Sequence, residues 1–81
     1  MITDEEILDR MNAVVSDILE IADLSLQRNL TAKDVQGWDS LAHINIIVAM
    51  ENEFAVKFKL AEVKMLKSIG DFVDLVKTKT Q

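Results

Sequence analysis

One segment, from Leu41 to Met50 (LAHINIIVAM), constrains the fold of this 81-residue chain more than any other. It has no glycine or proline, and apolar side chains fall on almost every side of the helix that it predicts. Such a helix is either buried or in contact with a partner. A domain of this size buries only about 60–65% of its unfolded surface, so a whole helix is hard to enclose. We therefore predict a helical bundle in which part of this helix stays exposed.

The predicted helix divides into two sets of side chains. The inward set consists of Ile46 or Ile47, Met50 and Phe54. The outward set is a strip at helical spacing: Leu41, Ile44, Val48 and Glu51. Two interpretations of its apolar members stay open, packing under a neighbouring loop or contact with a partner protein. We favour partner contact.

Three further helical segments are predicted. The first begins with Thr3-Asp4-Glu5-Glu6, a T-x-x-E capping box in which Ile2 and Ile7 are spaced as a hydrophobic staple. Its apolar stripe has a period of about 3.6 residues. The stripe consists of Ile7, Leu8, Met11, Val14, Val15, Ile18, Leu19 and Ala22. The last helix begins at the S-x-x-D sequence of Ser68 and Asp71, and its inner face is Ile69, Phe72, Val73 and Val76.

Two connections complete the predicted fold. The first, of about 14 residues, is long for a compact domain and is anchored by Leu26, Leu30 and Val35. The second alternates apolar and polar residues from Phe54 to Leu60, and a short helix follows near Ala61–Leu66. A lone strand has no partner here, so we expect an extended connection that turns Phe54, Val56, Phe58 and Leu60 inward. The prediction is one all-α domain over residues 1–81, a four-helix bundle with three longer helices and a short third helix.

Composition excludes several classes of function. The net charge of −5 argues against nucleic-acid binding, which needs a basic surface. Residues 1–40 hold nine acids against three basic residues, a net charge of −6, while residues 41–81 hold five acids against six lysines. There is no cysteine, no signal peptide and no apolar stretch near the ~20 residues of a membrane span. These features are compatible with a cytoplasmic protein.

Ser40 lies where the second helix should begin. Asp39 is a preferred N-cap residue, which makes Ser40 the first helical residue. Free backbone N–H groups and the positive end of the helix dipole meet at this point and favour a phosphate group. Ser40 is therefore a chemically suitable anchor for a phosphodiester.

His43 follows Ser40 by three residues and lies on the same side of the helix. A serine–histidine hydrolase would need a nucleophile elbow, an orienting acid and oxyanion-hole donors, and the sequence shows none of these. A single histidine in a chain without cysteine is also a poor metal site. We therefore expect no catalytic residue and no metal, with His43 at the surface or in contact with a partner. Trp38 is expected to anchor the loop on the bundle.

Three segments together resemble the acyl carrier protein family: Gly37-Trp38-Asp39-Ser40-Leu41, Met50-Glu51-Asn52-Glu53-Phe54 and Ser68-Ile69-Gly70-Asp71-Phe72. By this resemblance Ser40, between Asp39 and Leu41, carries 4′-phosphopantetheine. A phosphopantetheinyl transferase would add it from coenzyme A, and its thiol would hold an acyl or aminoacyl group as a thioester. The implied partners are this transferase and the enzymes that load and transfer acyl groups. We expect a monomeric, free-standing carrier, with a module excised from a larger protein as the alternative.

The chain departs from carriers of fatty-acid synthesis, whose second helix is rich in acids. Positions often acidic in those carriers are Ala42, Asn45 and Asn52 here. The next segment carries Lys57, Lys59, Lys64 and Lys67, where those carriers are typically acidic. A fatty-acid-like, polyketide-like or other specialised biosynthetic pathway with its own partners fits these differences. Two alternatives stay open: an aminoacyl or peptidyl carrier with the same arm, and a helical interaction module without a prosthetic group.

Overall fold

The computed structural model describes residues 2–80 and contains four α-helices in this range. They are α1 (Asp4–Leu19), α2 (Ser40–Phe54), α3 (Leu60–Lys64) and α4 (Ile69–Thr80), with a short 3-10 helix (Ala32–Asp34) between α1 and α2. The predicted all-α bundle with a short third helix is confirmed. Helix α1 packs against both α2 and α4. Among the described residues, β pairing is limited to an isolated antiparallel bridge between Thr31 and Ser68.

The ends of α1 are set by local hydrogen bonds. Thr3 Oγ1 accepts from the Glu6 N–H at 3.1 Å, which confirms the predicted start. The helix ends at Leu19 because Glu20 adopts a left-handed conformation with φ of 56°, and its N–H donates to the Ser16 carbonyl. Ala22 therefore lies beyond α1 and is exposed, so its assignment to the apolar stripe is wrong.

A single apolar core lies between α1, α2 and α4, with two residues from the first connection. It consists of Ile7, Met11 and Val15 from α1, Ile46, Met50 and Phe54 from α2, Ile69, Phe72, Val73 and Val76 from α4, and Leu26 and Val35. Either Ile46 or Ile47 was expected to face inward from α2. Ile46 is the inward residue, because it is fully buried while Ile47 is half-buried. Burial of these side chains supplies the main stabilisation of the fold.

The first connection spans residues 20–39 and is longer than predicted because α1 ends early, while α2 begins at Ser40 as predicted. Asn12 of α1 holds it by two hydrogen bonds. The Asn12 amide donates to the Leu24 carbonyl at 2.9 Å, and the Leu26 N–H donates to Asn12 Oδ1 at 2.7 Å. Leu26 is buried and Leu30 packs against the core, as predicted for anchors of this segment.

The same connection is bound to the start of α4. The Gly70 N–H donates to the Arg28 carbonyl at 2.9 Å, and the Arg28 guanidinium pairs with Asp74 at 2.9 Å. A Cβ atom at position 70 would lie 3.1 Å from that carbonyl oxygen, so glycine permits the close approach. Ser68 and Asp71 exchange hydrogen bonds between side chain and backbone, which confirms the predicted S-x-x-D start of α4.

The second connection is extended, as predicted, but two details differ. Val56 and Phe58 pack against the core, whereas Leu60 is exposed, so its inward assignment is wrong. Helix α3 also begins at Leu60 and ends at Lys64, earlier than expected. The α3 side chain Glu62 pairs with Lys79 of α4 at 2.8 Å and ties the short helix to the bundle. The predicted alternation therefore ends where α3 starts, because Leu60 is already helical.

Candidate functional site

Ser40 is the first residue of α2, as the sequence predicts. Asp39 is the N-cap, and its Oδ1 accepts from the Ala42 N–H at 2.8 Å. The Asp39 carbonyl accepts from the His43 N–H at 2.9 Å and so begins the helical hydrogen-bond series. The Ser40 side chain is exposed. The hydroxyl is thus accessible at a helix start that a capping carboxylate holds in place.

The N–H groups of Ser40 and Leu41 precede the first helical hydrogen bond and donate to no acceptor within residues 2–80. Together with the helix dipole they provide a partial positive charge beside the Ser40 hydroxyl. No acidic side chain lies in the first turn of α2. This end of the helix can therefore accommodate a phosphate ester on Ser40.

The loop before Ser40 is shaped by Gly37 and Trp38. Gly37 has φ of +89°, a conformation that side-chain-bearing residues rarely adopt. The turn directs the half-buried Trp38 against the core residue Phe72, with ring centroids 6.0 Å apart. The predicted role of Trp38 as a loop anchor is confirmed.

An open cleft of about 560 Å³ lies beside Ser40. Its lining residues come from the 3-10 helix, the loop and the first turns of α2: Ala32, Trp38, Asp39, Ser40, His43 and Ile44. His43 is half-buried and its Nδ1 accepts from the Trp38 indole N–H at 3.0 Å. It is therefore a packed residue of the cleft wall rather than a simple surface residue, which the sequence alone did not reveal.

The strip along α2 is exposed at its apolar positions. Leu41, Ile44 and Val48 have exposed fractions of 69%, 59% and 49%. They do not pack under the first connection, so that interpretation is wrong. Glu51, the fourth member of the strip, is half-buried, and its carboxylate accepts from the Phe58 N–H at 2.8 Å. Glu51 is therefore the last residue of the strip, and it also holds the second connection beside α2.

Comparison with known proteins identifies the family. The model of the phosphopantetheine attachment site family matches residues 9–76. Acyl carrier proteins of Acidothermus cellulolyticus and Thermotoga maritima are 33% and 27% identical to the chain, covering 94% and 98% of it and 90% and 98% of their own lengths. The solution structure of a holo acyl carrier protein from Geobacter metallireducens superposes with a TM-score of 0.83 at 38% identity, over 89% of this chain and 83% of that one. This chain belongs to the acyl carrier protein family.

The protein is an acyl carrier with covalently attached 4′-phosphopantetheine. The residues described above fit this group, because an exposed hydroxyl, two free backbone N–H groups and an open cleft meet at the start of α2. Among residues 2–80, no group of three or more His, Cys, Asp or Glu side chains is placed to hold a metal ion. Within the same range, no helix is long and apolar enough to cross a membrane.

The structure shows which of the neutral positions on the carrier's second helix lie at its surface. Asn45 and Asn52 are exposed, but Ala42 is buried with an exposed fraction of 9%. Position 42 is therefore not a surface position in this carrier. Four exposed lysines follow α2 and form no ion pair within residues 2–80: Lys57, Lys59, Lys64 and Lys67. The surface after α2 is consequently basic.

Proposed function

We propose that Ser40 is the residue that carries the 4′-phosphopantetheine arm. The observation that carries this proposal is the position of an exposed serine hydroxyl at the N-cap-stabilised start of α2, inside the family match over residues 9–76. The three other serines lack this setting. Ser16 hydrogen-bonds to the Ile21 carbonyl, Ser25 lies in the first connection, and Ser68 caps α4.

The chain's own residues prepare the site without performing chemistry. Asp39 holds the first turn, and the N–H groups of Ser40 and Leu41 would be available to a phosphodiester on Ser40. Ser40 acts as an acceptor, and the base that activates it belongs to the transferase. When bound, the arm supplies a thiol that holds the acyl cargo as a thioester. A flexible arm raises the effective concentration of that cargo at the active site of a docked enzyme.

We also propose that the strip of Leu41, Ile44 and Val48, ending at Glu51, contacts the partner enzymes. Three large exposed apolar side chains in one row are an interaction surface when they lie beside a functional group. The partners are the phosphopantetheinyl transferase and enzymes that load and transfer acyl groups. The lysines after α2 support a specialised biosynthetic pathway rather than general fatty-acid synthesis. The proposed carrier acts as a monomer in the cytoplasm.

The decisive experiment is an intact-mass measurement after incubation with coenzyme A and a broad-specificity phosphopantetheinyl transferase. We expect the wild type to gain the mass of one arm and Ser40→Ala to gain none. Ser25→Ala is the matched control, because Ser25 is exposed but lies outside any helix. Circular dichroism should show that both variants keep the helical fold. Full modification of Ser40→Ala would assign the arm to another residue, and no gain in the wild type would favour an interaction module without the arm.

A further inference from the structure

Three aromatic rings meet on the wall of the cleft beside Ser40. The His43 ring centroid lies 6.2 Å from that of Trp38 and 5.9 Å from that of Phe72, and the His43–Phe72 contact is T-shaped. Phe72 is a buried core residue of α4, and Trp38 is half-buried. The imidazole is therefore held in one orientation by rings that belong to two other parts of the fold.

The hydrogen bond from Trp38 determines the protonation pattern of this imidazole. An indole N–H can only donate, so the Nδ1 atom of His43, 3.0 Å away, must accept. With Nδ1 as an acceptor, the ring N–H lies at Nε2. No group within residues 2–80 accepts a hydrogen bond from Nε2. The fold thus presents an oriented N–H donor that no described residue uses.

Among the residues that line the cleft, His43 is the one whose side chain can donate a hydrogen bond to an ester on Ser40. Ala32 and Ile44 have no polar side-chain group, and the Trp38 indole N–H is already engaged. Asp39 is an acceptor, and its Oδ1 is occupied by the Ala42 N–H. The Ser40 hydroxyl would become the ester oxygen once the arm is attached. His43 lies three residues later on the same helical face, within reach of an ester on Ser40.

We propose that His43, oriented by Trp38, is a positioning residue whose Nε2–H donates to the phosphodiester of the arm. This inference rests on the proposed attachment at Ser40. A hydrogen bond from an imidazole N–H to an anionic oxygen is charge-assisted and short. It fixes the first segment of the arm in the cleft beside Trp38. The proton stays on Nε2 throughout, so His43 takes no part in bond making or breaking.

The test uses the ¹⁵N-labelled full chain before and after loading with coenzyme A and the transferase, with loading checked by intact mass. In the wild type, loading should move the Nε2–H resonance of His43, and nuclear Overhauser contacts should appear between the imidazole and the first methylene of the arm. The ³¹P resonance of the loaded protein should shift in His43→Leu and return part of the way in His43→Gln, which keeps a side-chain N–H. Trp38→Phe, which keeps the ring but removes the donor, should give a mixed His43 tautomer and a smaller ³¹P change.

Two results would overturn the proposed role of His43, and they can be distinguished from each other. Loading that leaves the His43 resonances unmoved, with the same ³¹P resonance in the wild type and His43→Leu, overturns this inference while Ser40 remains the attachment residue. A wild type that gains no mass overturns the proposed function and this inference with it. If His43→Leu fails to fold, the comparison of unloaded and loaded wild type is sufficient, because it needs no substitution.

Discussion

Asp39 Oδ1 accepts a hydrogen bond from the Ala42 N–H at 2.8 Å, across the residue that we propose to carry the arm. The bond satisfies one of the free N–H groups at the start of α2 and places Ser40 in the first turn. The same carboxylate leaves the N–H groups of Ser40 and Leu41 available. Capping and the candidate attachment site are therefore two properties of a single helix end.

Replacement of Asp39 tests the cap. Asp39→Ala should lower the free energy of unfolding by about 0.5–2 kcal/mol, because the Ala42 N–H loses its partner. Asp39→Asn should retain most of the stability, since an amide oxygen can accept the same bond. Urea unfolding of the three proteins measures the difference. Equal stability of Asp39→Ala and the wild type would show that the cap contributes nothing.

The elements predicted from the sequence are those set by short-range interactions. The helix starts at Thr3, Asp39 and Ser68 depend on side chains that bond to backbone groups three residues away, and all three are confirmed. The core-facing sides of α1 and α4 could also be predicted, because apolar residues recur along each helix with helical periodicity. The four-helix fold could be predicted from these patterns, whereas the family was indicated by the resemblance of three short segments.

Features that depend on backbone conformation or on contacts between separate segments could not be predicted from the sequence. The end of α1 depends on a left-handed Glu20, and no glycine marks that position in the sequence. The Trp38–His43 bond requires the turn at Gly37 to bring the indole over α2. Asn12 reaches the connection at Leu24 and Leu26, a contact between distant segments. None of these contacts has a local sequence pattern.

Acid should weaken the start of α4 through Asp71. Hydrogen bonds from the backbone N–H groups of Lys67 and Ser68 hold the pKa of Asp71 below its ordinary value of 3.8. A carboxylate with a lowered pKa in the folded state stabilises the protein above its unfolded pKa, and this contribution is lost as the pH falls through the folded pKa. Asp71→Asn should therefore be less stable than the wild type at pH 7. The difference in unfolding free energy between the two proteins should narrow below about pH 4.

Urea unfolding at several pH values between 7 and 2.5 checks this prediction for Asp71. Asp23→Asn is the control, since Asp23 is an exposed acid of the first connection without a hydrogen bond or ion pair to the described residues. The unfolding free energy of Asp23→Asn should change with pH in the same way as that of the wild type. A stability difference between Asp71→Asn and the wild type that stays constant with pH would contradict the assignment.

Ile44 and Ile46 offer a matched test of the proposed partner surface. They are the same residue type on the same helix, but Ile44 is 59% exposed and Ile46 is fully buried. Ile46→Ala should lose about 2–5 kcal/mol of unfolding free energy, whereas Ile44→Ala should lose roughly 0.5 kcal/mol. In the phosphopantetheinyl transferase reaction, Ile44→Ala should lower kcat/KM for the carrier, because an apolar contact with the enzyme is removed.

Ile46→Val serves as the activity control for Ile44→Ala, because it trims one methyl group from the core and should cost only about 0.5–1.5 kcal/mol. Its kcat/KM per folded molecule should equal that of the wild type. If Ile44→Ala is destabilised as strongly as Ile46→Ala and reacts normally per folded molecule, Ile44 is a core residue and not a docking residue. Val48→Ala provides a second exposed position on the same strip.

The charges near α2 should make this carrier a poor substitute in fatty-acid synthesis. Partner enzymes with basic surfaces are steered towards acids, and removal of such acids mainly slows association. Asn45 and Asn52 are exposed and neutral, and the exposed Lys57 and Lys59 follow. Loading of the carrier by an acyltransferase of the fatty-acid pathway should consequently be slow and should depend weakly on salt.

Two added acids should reverse this behaviour. Asn45→Glu with Asn52→Glu should speed loading at about 10 mM salt, where charges act over roughly 30 Å, and the gain should shrink at about 150 mM salt, where the screening length is roughly 8 Å. Position 42 is left unchanged, because Ala42 is buried and a carboxylate there would destabilise α2. Asn45→Gln with Asn52→Gln controls for side-chain size without adding charge. Fast, strongly salt-dependent loading of the unaltered carrier would show that the missing acids are unimportant and would favour the general fatty-acid role.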